Sequence, residues 1–225
     1  MASITRTSIG NILRRNPSTI AIITLICGIG WLVHGDTAVY IVLAVFLFIL
    51  WLMKSTRSEL GLQKPKSWKR VLSLSFGLMI ASIIVVNLLT PLIVQLFGIK
   101  EGLDLSKFSE LKGNELRLLR GLLIVWTTAA FGEELIWRGF VMKKIALLFG
   151  DNRKSWIIAL LFSSLFFGLI HSYQGPVGMI QTGLAGLIMG TVFILNGKKS
   201  LWVNIFMHGM TDTLSFILIY FGVLA

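Results

Sequence analysis

Six ionisable residues in the second half of the chain stand inside otherwise apolar runs: Glu133, Glu134, Arg138, His171, His208 and Asp212. An ionisable group at the centre of a membrane helix costs about 2.5–3.5 kcal/mol on the mildest scale, so such groups persist where they pair, line a wet cavity or do chemistry. Spacing sorts them. Glu134 and Arg138 stand at i and i+4, on one helix face, with the acid on the N-terminal side as a favourable pair requires. Glu133 is turned about 100° away from that face and has no partner at helical spacing. His208 and Asp212 repeat the i, i+4 relation, and His171 closes an apolar run of its own. A lone membrane histidine such as His171 also serves as a helix–helix hydrogen bond, whereas His208 with Asp212 is harder to read as packing alone. An unpartnered glutamate, two histidines and an aspartate on three separate spans could converge on one cavity. There they can deprotonate a water and stabilise an oxyanion.

Those residues need helices to hold them, and the composition supplies helices of one kind. The chain has 225 residues, is 55% hydrophobic and only 14% charged. Its mean hydropathy is +0.83, which excludes an ordinary soluble domain and points to an all-α, polytopic transmembrane bundle. Apolar runs fall at 18–33, 37–53, 71–99, 118–150, 155–172, 177–195 and 201–223. Each is near the roughly 20 residues that a bilayer needs, so about seven to eight spans are expected. The run 71–99 is long and carries Asn87 and Pro91, which predicts tilt or a kink at the proline. Residues 100–120 mix charge with leucines and read as an interfacial amphipathic segment broken at Gly113. The chain reads as one structural unit: residues 1–117 hold the first spans, the basic loop and the amphipathic segment, and residues 118–225 hold the polar core. Asn87, Asn204 and Gln181 are expected to act as interhelical hydrogen-bonding groups, and Gly183, Gly186 and Gly190 to allow close helix approach.

The formal net charge of +11 suggests either a nucleic-acid surface or a topology signal. Its placement decides. Most of the 21 Lys and Arg fall in 6–15, 54–70, 143–154 and 198–199, which lie on one side if the N-terminus is cytoplasmic. That is the positive-inside pattern repeated over four segments, so no nucleic-acid partner is expected. Arg6, Arg14 and Arg15 before an apolar run resemble a signal peptide, but no small-residue cleavage pattern follows, and retention as a span is the expectation. The single cysteine, Cys27, lies in an apolar run, which excludes an intrachain disulfide and a cysteine-rich metal site.

Depth along the helices is a further check. Counting from the basic turn near 150–155, Glu133 and His171 each lie about 24 Å along antiparallel helices at 1.5 Å per residue. His208 lies only about 12 Å past its own basic turn at Lys199 by the same rise. A tilt or a staggered helix start must absorb the difference if the three are to meet.

Three motifs carry a family resemblance: Glu133-Glu134-Leu135-Ile136-Trp137-Arg138, Phe167-Gly168-Leu169-Ile170-His171 and His208-Gly209-Met210-Thr211-Asp212. In order and spacing, over roughly 118–225, they resemble the E-E-x-x-x-R, F-x-x-x-H and H-x-x-x-N/D motifs of the CPBP membrane proteins. That family includes the type II CAAX prenyl endopeptidases and the bacteriocin-immunity (Abi) proteins. The resemblance implies a metal-independent intramembrane glutamate protease without a cofactor. Glu133 would be the general base, and His171 would hold and activate the attacking water. His208 and Asp212 would line the oxyanion site, with Glu134 and Arg138 in support. The related prenyl endopeptidases usually carry Asn where this chain has Asp212. An aspartate can serve there if protonated, or by orienting and charging His208.

The expected function is an intramembrane endopeptidase of a peptide or lipidated protein, cutting near the cytoplasmic face of a bacterial plasma membrane, with membrane lipid as its surroundings. The competing reading is a non-catalytic immunity or scaffold protein that uses the polar cluster to bind a partner. A zinc or di-metal enzyme ranks below both, because no His-Glu-x-x-His helix is present and Glu134 is matched to Arg138. A transporter ranks low for want of internal repeats and paired broken helices.

Overall fold

The computed structural model describes residues 10–13, 16 and 36–224, with the backbone alone for 36–42. The expected first span at 18–33, its signal-peptide alternative, Cys27, and the basic Arg6, Arg14 and Arg15 lie outside the described residues. Among the described residues the structure is helical without strands, and one isolated bridge joins Leu62 to Ser200. In order, the helices are α1 (Asp36–Leu52), α2 (Trp68–Leu96), α3 (Glu115–Ile124), α4 (Lys143–Leu148), α5 (Arg153–Leu169), α6 (Gly175–Leu195) and α7 (Trp202–Tyr220). Between α3 and α4 the chain stays helical through two wider-wound stretches, Val125–Glu133 and Leu135–Met142, so 115–148 is one long element.

Among the described residues, two helical stretches are long and apolar enough to cross a membrane: Trp68–Leu96, of 29 residues, and Ser172–Leu195, of 24. Only 22% and 28% of their apolar windows are buried against protein. A core helix of a soluble protein would bury most of such a window, and large apolar faces left outside a protein core call for lipid or a partner. The other expected spans are shorter, as α1 and α5 with 17 residues each, or interrupted by charge, as in 115–148 and α7.

One expectation about α2 is corrected. The helix continues through Pro91, and Asn87 bonds within its own helix, Nδ2 donating to the Ile83 carbonyl at 2.8 Å. Thr90 Oγ1 likewise donates to the Val86 carbonyl at 2.7 Å. Side chains that engage local carbonyls are one way a membrane helix tolerates proline. α2 is tied to the bundle on one side: Ser75 Oγ bonds the Val71 carbonyl at 2.7 Å and the Val203 carbonyl of α7 at 3.0 Å. Gly113 does break the 100–120 segment, with φ +67°. A 3-10 turn, Ser106–Leu111, precedes it, and α3 starts after Asn114, whose side chain caps it by accepting from the Arg117 amide.

Glycines set the closest helix approach. A Cβ on Gly168 of α5 would meet the Met179 carbonyl oxygen at 2.6 Å and the Gly183 Cα at 3.1 Å on α6, and one on Gly186 would meet the Ser164 Cα at 3.3 Å. The small residues of α6 therefore face α5, as packing predicts. The basic loops gather at one end of the bundle. Leu62 bridges Ser200, Lys143 Nζ donates to the Glu59 carbonyl at 2.7 Å, and Lys198 Nζ lies 4.4 Å over the Trp156 ring. At the opposite end 97–114 forms the rim, where the Asp104 amide bonds the Gln174 carbonyl and the Gly113 amide bonds the Tyr220 carbonyl, each at 3.0 Å.

Candidate active site

The two acids ride on the wider-wound part of the long helix, a geometry not legible from the i, i+4 spacing. Wide turns of this kind are rare and often mark functional sites. Local chemistry loosens the α-winding here. Thr127 and Thr128 turn their hydroxyls back to the Leu123 and Ile124 carbonyls, at 2.7 and 2.8 Å, and such back-bonding bends helices. Gly132 and Gly139 add weak helix formers on either side of the acids.

The Glu134–Arg138 pairing survives this winding. Arg138 Nη1 donates to Glu134 Oε1 at 2.7 Å, with side-chain exposures of 1% and 0%. Arg138 Nη2 donates to the Gly186 carbonyl at 3.1 Å, which gives a glycine expected to serve packing a polar role as well. The guanidinium also lies 4.6 Å from the centre of the Phe167 ring, a cation–π contact strengthened by desolvation. Phe167 is the hub of the site. Its ring centre is 4.9 Å from that of His171, 6.1 Å from His208 and 6.0 Å from Trp137.

His208 bridges two carboxylates. Its Nδ1 lies 3.1 Å from Glu134 Oε1 and its Nε2 lies 3.3 Å from Asp212 Oδ2. Glu134, Arg138, His208 and Asp212 thus form one connected polar cluster. Glu133 is the carboxylate outside it: the residue is buried, 4% exposed, and among the described residues its Oε2 has no hydrogen-bond partner. His171 is held by its backbone neighbour, Nδ1 lying 2.6 Å from the Phe167 carbonyl oxygen. A carbonyl only accepts, so Nδ1 carries the proton.

The depth mismatch is resolved by a staggered helix start. α7 begins level with Gly139 and not with the end of the long helix at Leu148: a Cβ on Gly139 would meet the Leu201 side chain at 3.0 Å and the Leu60 carbonyl oxygen at 2.8 Å. Glu133 is six residues from Gly139 and His208 seven from Leu201, so the two stand at similar depth from that common level. Trp126 fixes the same register from above. It donates from Nε1 to Thr213 Oγ1 at 3.1 Å, and its ring occupies the space beside Gly209, where a Cβ would lie 2.7 Å from it.

Two further residues belong to this cluster. Asn204 is fully buried and donates from Nδ2 to the Met189 carbonyl at 2.7 Å, which is the interhelical bond expected of it. It also stands one turn before His208, beside Glu134. The run Asn204, His208, Asp212 at i, i+4 and i+8 is a legible signal for it. Tyr173 has no such signal. It lies in the turn after α5, its ring 5.7 Å from that of His171 and beneath Lys107 Nζ at 4.3 Å. Among the described residues, no three His, Cys, Asp or Glu side chains are arranged to hold a metal ion.

The described residues form a helical bundle with two helices apolar enough to cross a membrane and a buried carboxylate–histidine cluster. Residues 115–214 match the family model described as type II CAAX prenyl endopeptidase Rce1-like. The matched stretch contains all three motifs, in agreement with their resemblance. That family consists of integral membrane proteases, and the match supports a CAAX-type intramembrane protease role for this chain. No curated protein matches the chain, and no solved structure does.

Proposed function

We propose that the protein is an intramembrane endopeptidase that hydrolyses a peptide bond with a water activated by Glu133. The observation that carries this reading is Glu133 itself, a buried carboxylate outside the Glu134–Arg138 pair, with an oxygen that no described side chain or backbone group engages. A group in that condition costs stability wherever it stands, so a chemical use is the economical explanation of its presence. Glu133 takes a proton from the water as the water oxygen bonds to the substrate carbonyl carbon. His171, from Nε2, orients that water. Negative charge collecting on the carbonyl oxygen is stabilised by hydrogen bonding from His208, which Glu134 and Asp212 hold in place. The C–N bond then breaks, and Glu133 returns its proton to the leaving amine, yielding one carboxylate and one amine. In this scheme Asp212 acts through His208, which is compatible with an aspartate at a position where related proteins usually carry asparagine. Arg138 positions Glu134.

In the same reading the chain crosses the membrane about seven to eight times, with its N-terminus in the cytoplasm of a bacterial cell, and needs no metal. The purified protein in detergent, with and without EDTA, tests it against farnesylated CAAX peptides and unmodified membrane peptides. Cleavage of either class that survives EDTA supports the scheme, and the preferred class identifies the substrate chemistry. Cleavage lost in EDTA and restored by zinc would replace it with a metal-dependent mechanism. Absence of cleavage across the panel would favour the partner-binding reading, in which the polar cluster serves recognition.

A further inference from the structure

The site is closed on one side and open on the other, and the two sides differ in charge. Towards the basic end, the space below Glu134 is filled by Leu135, Trp137, Val141, Met142, Phe193 and Leu201, each no more than 1% exposed. Protein interiors packed to this degree admit neither water nor an extended peptide. Towards the other end the environment changes. Asp212 has 31% of its side chain exposed, and Trp126, Tyr173, Gln174, Thr211 and Thr213 are half-buried. Asp212 stands eight residues before Tyr220, about 12 Å from the end of α7, and His171 closes the last turn of α5. Both residues therefore face the end rimmed by 97–114. Lys107 over Tyr173 and the Asp104–Gln174 backbone bond place that segment at the rim.

The opposite, plugged end is where 54–70, 143–154 and 198–199 meet. Clustered Lys and Arg within short loops mark the cytoplasmic side of a membrane protein. We infer that the site opens to the extracytoplasmic face, and that its substrate is a polypeptide presented there next to its membrane anchor. This inference rests on the protease reading for the word substrate, and on geometry and charge alone for the open face. It departs from the expectation of cleavage near the cytoplasmic face, because that expectation had no knowledge of which end of the bundle is packed solid. A prenylated C-terminal tail on the cytoplasmic side would meet the closed end.

Labelling from one side of the membrane separates the two geometries. In a Cys27→Ser background expressed in the plasma membrane of a bacterial host, single cysteines are placed by Ser109→Cys and Gln174→Cys at the open end and by Lys64→Cys at the basic end. The three variants are first compared with the parent in thermal stability, so that unfolded protein is not read as accessible. A membrane-impermeant maleimide added to intact cells is expected to modify Ser109→Cys and Gln174→Cys. Lys64→Cys should react after the cells are opened and not before. Labelling of Lys64→Cys in intact cells, with Ser109→Cys protected, would overturn the orientation. Labelling of Ser109→Cys with Gln174→Cys protected from both sides would overturn the open mouth. Neither readout needs proteolysis, so the inference fails or stands apart from the proposed activity.

Discussion

Removing Arg138 gives the sharpest stability prediction, because its surroundings are fully specified. Arg138→Met keeps an unbranched side chain in the same space and deletes the guanidinium. Glu134 is then left buried, with Oε2 already lacking a hydrogen-bond partner and Oε1 held by His208 at 3.1 Å. Breaking a buried ion pair by removing one partner costs about 3–5 kcal/mol, and the surviving His208 contact places this case near the lower figure. The Gly186 carbonyl loses the guanidinium but keeps its place in the backbone ladder of α6, so little is added there. The loss is about 3 kcal/mol, or roughly 6–12 °C in Tm for a chain of this size. Thermal unfolding in detergent reads it. The double variant Glu134→Leu with Arg138→Met removes both charges, and replacing a buried pair by apolar groups is often close to neutral. It should therefore be more stable than Arg138→Met alone, with coupling in the cycle well above the few tenths of a kcal/mol expected of independent sites. A loss below about 1 kcal/mol in the single variant, or additive losses in the double, would refute the buried pair as the framework of the site.

Three other outcomes follow from the same geometry. Gly168→Ala should lower stability by about 1–3 kcal/mol, as overpacking does, because its Cβ would lie 2.6 Å from the Met179 carbonyl oxygen. Gly102→Ala, with nothing within 4 Å of the added atom, should be neutral in the same thermal assay. Phe167→Leu should reduce turnover more than it reduces stability, since the ring contacts Arg138, His171 and His208 together; initial rates and Tm measured on one preparation separate the effects. A single turnover in ¹⁸O-water should place label in the new carboxylate of the product and none in Glu133, and label in the glutamate would indicate a covalent acyl intermediate instead.

The ion pair of the site was legible before the structure, because a four-residue spacing brings Glu134 to Arg138 and His208 to Asp212 whatever surrounds them. Charge pattern likewise foretold that 54–70, 143–154 and 198–199 share an end. What the sequence withheld is long-range. The level at which α7 starts depends on Leu60 and Leu201 meeting at Gly139, a contact between segments far apart in the chain that no periodicity encodes. The wide winding of 125–142 is hidden for a different reason: hydropathy and pair spacing change little between the two kinds of turn, and only the paired threonines and the glycines hint at it. Asn87 was misassigned as interhelical because its type permits either bond, and the Ile83 carbonyl of its own helix was nearer. Tyr173 carries no pattern, since a residue in a turn is placed by the elements on both sides of it.

The central claim is that Glu133 is the base. Purified wild type and Glu133→Gln, matched in Tm and both held in EDTA, should be compared for cleavage of the peptide that wild type prefers. The substitution keeps size and hydrogen-bonding capacity and removes the ability to accept a proton from water. Loss of cleavage in a variant as stable as wild type, or more stable, is the predicted result. Glu133→Gln cleaving at the wild-type rate would contradict the account, leaving the buried carboxylate without the role assigned to it.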